Sequence, residues 1–288
     1  VPVVGDIRDA ERVDETFAGR SIDVVFHAAA HKHVPMMEAQ PIEVVTTNVL
    51  GTWNLAEAAR RHGVPNFVMI SSDKAVNPTN VMGLTKRTAE LIVASRENDP
   101  ANRTKFVSVR FGNVLGSNGS VVPLFQQQIA AGGPLTITDA RMTRYFMTIP
   151  EAVQLVLQAS VMGARTEIFV LDMGEPVKIV DLARNMIRLA GLVPDRDIAI
   201  EYIGLRDGEK LYEELITEGE NIVPTGHEKI KVFRGPEVKA AEIDRWLAGL
   251  RRAVARRDEA AIVGCLAELV PEYVPGPRWA GIRAERDA

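Results

Sequence analysis

The stretch Phe67-Val-Met-Ile-Ser-Ser-Asp-Lys-Ala-Val-Asn-Pro-Thr-Asn-Val-Met-Gly-Leu-Thr-Lys86 runs from an apolar strand through a cluster of reactive side chains into a helix. Its first five residues, ending in Ser71, read as a buried parallel strand, and in open α/β sheets ligands collect just beyond the carboxyl ends of such strands. Ser72, Asp73 and Lys74 stand at that point. Pro78 keeps the loop from becoming helical, Asn80 can cap the next helix, and Met82 and Lys86 fall four apart, on one helical face that looks back toward Ser72. A hydroxyl, a carboxylate and two amines converging on one crevice suit proton transfer with a polar substrate. A polar turn with an exposed Asp-Lys pair explains these residues, taken alone, equally well.

The pattern repeats on either side. Val1 to Val4 read as a short strand with Asp6 in the turn at its carboxyl end, and a helical stretch follows through Phe17. Ile22 to Ala30 read as a second strand, ending in Ala28, Ala29 and Ala30, whose small side chains let a flat ligand approach the backbone. Pro41 to Arg61 read as one long helix stopped by Gly63, and Asn48 inside it is expected to hydrogen-bond a neighbouring loop. Asn80 to about Glu97 is the next helix, and Phe106 to Arg110 is a strand that ends in a glycine-rich run to Gly119. Further on come a capping box at Thr148-Ile-Pro-Glu151, a strand at Ile168 to Leu171 and a helix from Ile179 to Ala190. A charged loop, Arg206 to Lys210, leads into a short helix, and two amphipathic helices carry Ile243 to Val254 and Ile262 to Leu269 before a loose tail from Pro275. Strands ending in polar clusters and alternating with helices predict a doubly wound parallel α/β sheet.

Composition narrows the function. A net charge of −4, from 34 basic and 38 acidic residues, gives no basic footprint for nucleic acid. One cysteine, Cys265, excludes an internal disulfide and fits a reducing compartment. No apolar run is long enough to span a bilayer. His27, His31 and His33 are close together, but Lys32 separates two of them and no matching acid or cysteine spacing follows, so no metal site is expected.

Taken together, several segments resemble the extended short-chain dehydrogenase/reductases that act on nucleotide sugars, and among them the polysaccharide-biosynthesis UDP-N-acetylglucosamine 4,6-dehydratases. They are Gly5-Asp-Ile-Arg-Asp9, Phe26-His-Ala-Ala-Ala-His-Lys-His-Val-Pro35, Thr47-Asn-Val-Leu-Gly-Thr52, Ser72 to Gly83, Val109 to Pro123 and Asp207-Gly-Glu-Lys-Leu-Tyr-Glu-Glu214. The resemblance departs in two places. The glycine turn that would hold a cofactor pyrophosphate is absent, because Gly5-Asp6 matches the third strand of the fold; the first two strands are expected upstream of Val1. Met82 stands where the wider superfamily places a tyrosine, four residues before Lys86.

The resemblance implies a Rossmann-type sheet lacking its first two strands, with a smaller substrate-binding lobe. Residues 1–115 and 150–181 would form the NAD-binding domain, 116–149 and 182–270 the lobe, and 271–288 a tail. The implied reaction oxidises C4 of UDP-N-acetylglucosamine, eliminates water across C5 and C6 and returns hydride to C6, with C5 configuration kept, for surface polysaccharide biosynthesis. In it Asp73 is the acid, Lys74 the base at C5, Ser72 a donor to the C4 oxygen and Lys86 the holder of the nicotinamide ribose, with Met82 in place of the phenol. Asp6 and Ile7 would touch the adenine of NAD, and Ala28, Ala29, Ala30 and Asn48 would line its groove. His31, Lys32, Asn113, Ser120, Arg144, Arg206 and Glu209 would bind the UDP-sugar. A cytoplasmic homo-oligomer without nucleic acid is implied, with membrane attachment through an upstream segment left open. A 4-epimerase, another nucleotide-sugar dehydratase and a non-catalytic dinucleotide-binding piece remain alternatives.

Overall fold

The computed structural model describes residues 1–99, 101–162, 167–216, 222–235 and 237–282. In chain order come α1 (Ala10–Phe17), β1 (Val24–His27), α2 (Val34–Glu38), α3 (Pro41–Val45), α4 (Thr52–Arg61), β2 (Asn66–Ile70), α5 (Val81–Glu97) and β3 (Lys105–Arg110). They are followed by α6 (Val121–Ala130), α7 (Ile149–Val161), β4 (Ile168–Leu171), α8 (Ile179–Leu189), β5 (Ile222–Pro224), β6 (Ile230–Phe233), α9 (Ala240–Ala255) and α10 (Glu259–Leu269). β1 to β4 lie side by side and parallel, and β6 then β5 extend the sheet antiparallel beyond β4. The α/β sheet is thus the expected one, with a hairpin added at one edge.

Strand side chains alternate between faces, and both faces are covered. Phe67, Met69 and Phe106 pack with Val13 and Phe17 of α1, Ala56 and Ala59 of α4 and Val93 of α5. Val68, Val107 and Val109 pack with Ala152, Leu155 and Ala159 of α7 on the opposite face. The cap expected for α5 is present, with Asn80 Oδ1 accepting from Gly83 N at 2.7 Å. Thr148 caps α7 through Glu151 N, but the Glu151 carboxylate turns away to Lys229 instead of closing the box.

Five features differ from the sequence reading. Val1–Val4 form no strand, because a strand exists only through a hydrogen-bonded neighbour and these residues have none among the described ones. The rod 41–61 is interrupted by a π-helical turn, Thr46–Gly51. Hydroxyls compete there for main-chain carbonyls: Thr46 Oγ1 donates to Ile42 O and Thr52 Oγ1 to Asn48 O. No helix follows the charged loop in the described residues, since Arg144 and Thr143 N occupy the Lys210 and Leu211 carbonyls that such a helix would use. β6 joins the main sheet, and α9 and α10 pack Ile243, Leu247, Leu250, Ile262 and Leu266 on the outer side of α5, so residues 230–269 do not belong to the smaller lobe. That cover explains why almost every residue of α5 is buried. Finally, the segment expected to be a loose tail buries Tyr273 and Trp279 against the same cluster; its residues 283–288 lie outside the described ones.

Candidate active site

A cleft of about 470 Å³ opens at the carboxyl ends of β1, β2 and β3. Ser72, Lys74, Met82 and Lys86 line it together with Ala28, Ala30, Lys32, Asn113, Ser120, Arg144, Arg206 and Glu209. Asp73 lies just behind the wall; Asp6, Ile7, Ala29, His31 and Asn48 are not among the lining residues.

Local chemistry sets the central cluster. Ser72 caps a 3-10 turn, Asp73–Ala75, and donates its hydroxyl to Asp73 Oδ1 at 2.9 Å. Lys74 Nζ reaches the same Oδ1 at 3.0 Å, Asn113 Oδ1 at 3.3 Å and Glu213 Oε1 at 3.6 Å. Asp73 Oδ2 is buried without a hydrogen-bond partner, and a Cβ at Gly112, on the cleft wall, would lie 3.3 Å from it. Gly83 lets the first turn of α5 rest on this loop, because a Cβ there would collide with Lys74 O.

The two cleft lysines respond differently. Burial would push Lys74 down, but Asp73 and Glu213 outweigh it and raise it above the ordinary lysine range. Lys74 is therefore held as an ammonium, the reverse of the neutral amine a C5 base requires. Lys86 donates to Ile70 O at 2.9 Å, and burial, opposed only by Glu90, brings it down to about 8.

Behind the floor lies a buried ionic group that sequence reasoning missed. Glu90 accepts from Ser71 Oγ at 2.6 Å, from Arg110 at 2.8 Å through both oxygens, and from Arg87 at 3.1 Å. Burial raises the Glu90 carboxyl, but the two guanidiniums and Ser71 hold it below its ordinary range. Its position one turn beyond Lys86 was the available signal. His27, 4% exposed, meets Thr52 Oγ1 at 2.7 Å; since that hydroxyl donates to Asn48 O, His27 Nε2 carries the proton and Nδ1 is bare. Burial and then the charge of Lys86 lower His27 to about 3.

The remaining expected residues do varied work. Asn48, presented by the π-helical turn, accepts from His31 N and donates to His31 O and Thr85 Oγ1. Ile7 packs on Gly51, and Asp6 is tied up by Arg8 at the surface. Arg144 directs its guanidinium to the Lys210 and Leu211 carbonyls and lies 3.7 Å from Glu213. Arg206 is half exposed and pairs with Glu209 at 3.4 Å. Lys32 Nζ reaches Ser117 Oγ at 3.4 Å across the cleft, and Ser120 Oγ is buried without a partner. Among the described residues no group of His, Cys, Asp and Glu could hold a metal ion, and no helix is long and apolar enough to cross a membrane.

A sheet with a four-stranded parallel core wrapped on both faces, with a polar cleft at its carboxyl edge, defines a Rossmann-type α/β domain. Residues 1–234 match the model of the polysaccharide biosynthesis protein family, and the chain belongs to that family. It is 56% identical over 235 residues to the capsular polysaccharide biosynthesis protein CapD of Staphylococcus aureus, covering 82% of this chain and 39% of the relative. Against the probable polysaccharide biosynthesis protein EpsC of Bacillus subtilis it is 56% identical over 217 residues, 75% of this chain and 36% of that one. The chain thus spans under two fifths of the length of these relatives. Among solved structures, Pen from Bacillus thuringiensis superposes with a TM-score of 0.75 at 40% identity, over 83% of this chain and 74% of that one. The Thermus thermophilus UDP-glucose 4-epimerase, at 22% identity and a TM-score of 0.65 over 74% and 75%, shares the fold.

Proposed function

We propose that this chain carries the catalytic cleft of an NAD-dependent nucleotide-sugar 4,6-dehydratase that acts on UDP-N-acetylglucosamine and keeps the configuration at C5. The observation that carries the reading is the Ser72–Asp73–Lys74 cluster facing Lys86 in one cleft, with the thioether of Met82 where a phenol would stand. A thioether cannot take the sugar hydroxyl proton, whereas an acid–amine pair can eliminate water. The resemblance to CapD, and the Thermus epimerase structure described as holding NAD, support the class and the cofactor.

The residues present fit the nicotinamide-ribose half of a dinucleotide. Ala28 and Ala30 leave main chain open on the cleft wall, and Lys86 uses one donor on Ile70 O and keeps others for a ribose hydroxyl. When bound, the dinucleotide would supply the acceptor for the C4 hydride and give the same hydride back to C6. Ser72, which donates to Asp73 Oδ1 at 2.9 Å, would steady the C4 oxygen and pass the C4 hydroxyl proton to the Asp73 carboxylate, from which it would protonate the departing C6 hydroxyl. Lys74, once it has given up its own proton, would remove the C5 proton and return it to C5 as hydride reaches C6. Gly112, which lines the cleft, stands beside Asp73 Oδ2, where a Cβ would come within 3.3 Å of that oxygen.

The test is proton NMR of UDP-N-acetylglucosamine with NAD in deuterated water, using this chain and the full-length gene product. A 4-keto-6-deoxy product with solvent deuterium at C5 is expected, and Asp73→Asn should abolish it. Unchanged substrate from folded, NAD-bound protein overturns the assignment. A second reading, 4-epimerisation, is favoured by a 43% identical Rickettsia canadensis relative described as UDP-glucose 4-epimerase, covering 74% of this chain and 61% of that one. The same spectra distinguish it, because an epimerase leaves the C6 hydroxyl in place.

A further inference from the structure

Lys74 faces charge from two directions. Asp73 belongs to its own turn, but Glu213 arrives from a segment remote in sequence, the one that also carries the cleft-lining Arg206 and Glu209. We propose that Glu213 is a positioning residue for Lys74: its carboxylate fixes the ammonium in the cleft and sets the pH at which Lys74 gives up its proton. The inference deepens the dehydratase reading and rests on it for the role of Lys74 in catalysis.

Donor counting supports it first. An ammonium has three N–H donors and an amine two. Nζ donates to two acceptors, Asp73 Oδ1 at 3.0 Å and Asn113 Oδ1 at 3.3 Å, which would occupy both donors of an amine, and Glu213 Oε1 stands 3.6 Å away, in ion-pair range of the third N–H that only the ammonium has. Burial supports it next. The side chains of Asp73 and Glu213 are 0% and 5% exposed, and two carboxylates so withdrawn from water require a cation between them. The charged groups facing Lys74 are Asp73 and Glu213, which favour the ammonium, and Arg144, which opposes it.

Glu213 is also held in place. Arg144 lies 3.7 Å from its Oε1 and pins the Lys210 and Leu211 carbonyls. Lys210 Nζ donates to Val76 O at 3.1 Å, and Asn80 Nδ2 donates to Gly208 O at 2.9 Å. These bonds tie the segment carrying Glu213 to the loop carrying Lys74 and to the cap of α5. The charge state of Lys74 is thereby coupled to a segment whose other side chains form the cleft mouth.

The test titrates Lys74 directly, without substrate. The pH dependence of its acetylation by a small reagent, read by mass spectrometry on the folded chain, gives a midpoint for the native protein and for Glu213→Gln. Removing an opposite charge at this range should lower the midpoint by about one pH unit or more. Glu214→Gln, a half-exposed neighbour bonded to Asn77 and Lys210, should leave it in place. An unmoved midpoint in folded Glu213→Gln overturns the proposal. Should that variant fail to fold, Glu213→Asp, which withdraws the carboxylate by one methylene, must still lower the midpoint; if it does not, the proposal falls. With the full-length enzyme, the ascending limb of the kcat/KM profile should move to lower pH by the same amount. Dehydratase activity with an unmoved profile overturns the positioning role. A shifted midpoint without dehydratase activity in any form leaves that role standing and removes the dehydratase reading instead.

Discussion

The floor of the cleft, made by β2 and α5, and its outer wall, where the 72–75 turn meets the 206–216 segment, each withdraw a lysine from water, and they drive it in opposite directions. Lys86 on the floor meets a main-chain carbonyl and falls to about 8. Lys74 on the wall meets two carboxylates and rises. Burial favours the neutral amine at both sites; the local count of carboxylates decides which of them departs from it. The floor has a carboxylate too, Glu90, but Arg110 and Arg87 neutralise it before Lys86 can. One cleft therefore offers a lysine able to lose its proton near neutral pH and another that holds its proton to higher pH.

The largest effect should come from breaking the floor. Glu90→Gln puts a neutral amide in place of the carboxylate that Arg110, only 1% exposed, pairs with at 2.8 Å, and breaking a buried ion pair by removing one partner costs about 4 kcal/mol. Urea denaturation measures it; a loss below about 1 kcal/mol would mean that packing alone holds the floor. Next, Lys74→Met should destabilise the fold near neutral pH by about 3 kcal/mol, since the buried Asp73 carboxylate loses the ammonium at 3.0 Å and Glu213 keeps only Arg144 at 3.7 Å. A lysine raised in the folded state contributes stability that is fully present below its unfolded value and is lost as pH rises through the folded one, so the deficit of Lys74→Met should shrink in strong alkali.

Lys86→Met should do the opposite. Lys86 is depressed from an ordinary 10.5 to about 8, so between these values the unfolded chain binds more protons and native stability climbs with pH. The charged form is disfavoured by up to about 3 kcal/mol, partly offset by the bond to Ile70 O. Lys86→Met should therefore match or exceed native stability at pH 7, and its stability should not climb from pH 8 to 10.5. A parallel climb in native and variant would break the contrast between floor and wall.

Much of the floor was legible because its signals are local. An apolar run ending in Ser71, a proline in the loop and an asparagine at a cap position identify β2, the turn and α5 without reference to the rest of the chain. Lys86 and Met82 share a helical face for the same reason. The wall was not legible in this way. Glu213 lies 139 positions beyond Lys74, and nothing in its own segment says which cation it will meet. Arg144 reads as an anion binder from its charge, but its partners are carbonyls fixed by the path of residues 210–211. The π-helical turn at 46–51 was invisible because its residues also suit an α-helix, and hydroxyl bonding to carbonyls decides between the two. The placement of α9 and α10 follows from the apolar outer side of α5, a need visible in the sequence although its partner is not.

The smallest effect separates charged locks from neutral tethers. Asn48 joins the π-helical turn to the 28–33 loop through two bonds with His31, of 2.8 and 3.0 Å, and to α5 through Thr85 Oγ1 at 3.1 Å, none involving a formal charge. In Asn48→Ala the His31 amide and carbonyl can turn to water because His31 is exposed, and Thr85 Oγ1 keeps its bond to Met82 O. No buried group is left with full charge, so the cost should be about 1–2 kcal/mol, below that of Glu90→Gln. The functional loss should exceed the structural one, because the loop it frees carries Ala28 and Ala30 on the cleft wall. Titration of NAD onto native and variant chains should show affinity about tenfold weaker in Asn48→Ala while the urea midpoint moves little. Equal destabilisation by Asn48→Ala and Glu90→Gln would show that a neutral tether holds this floor as firmly as its ion pairs do, and the division between the two kinds of contact would not stand.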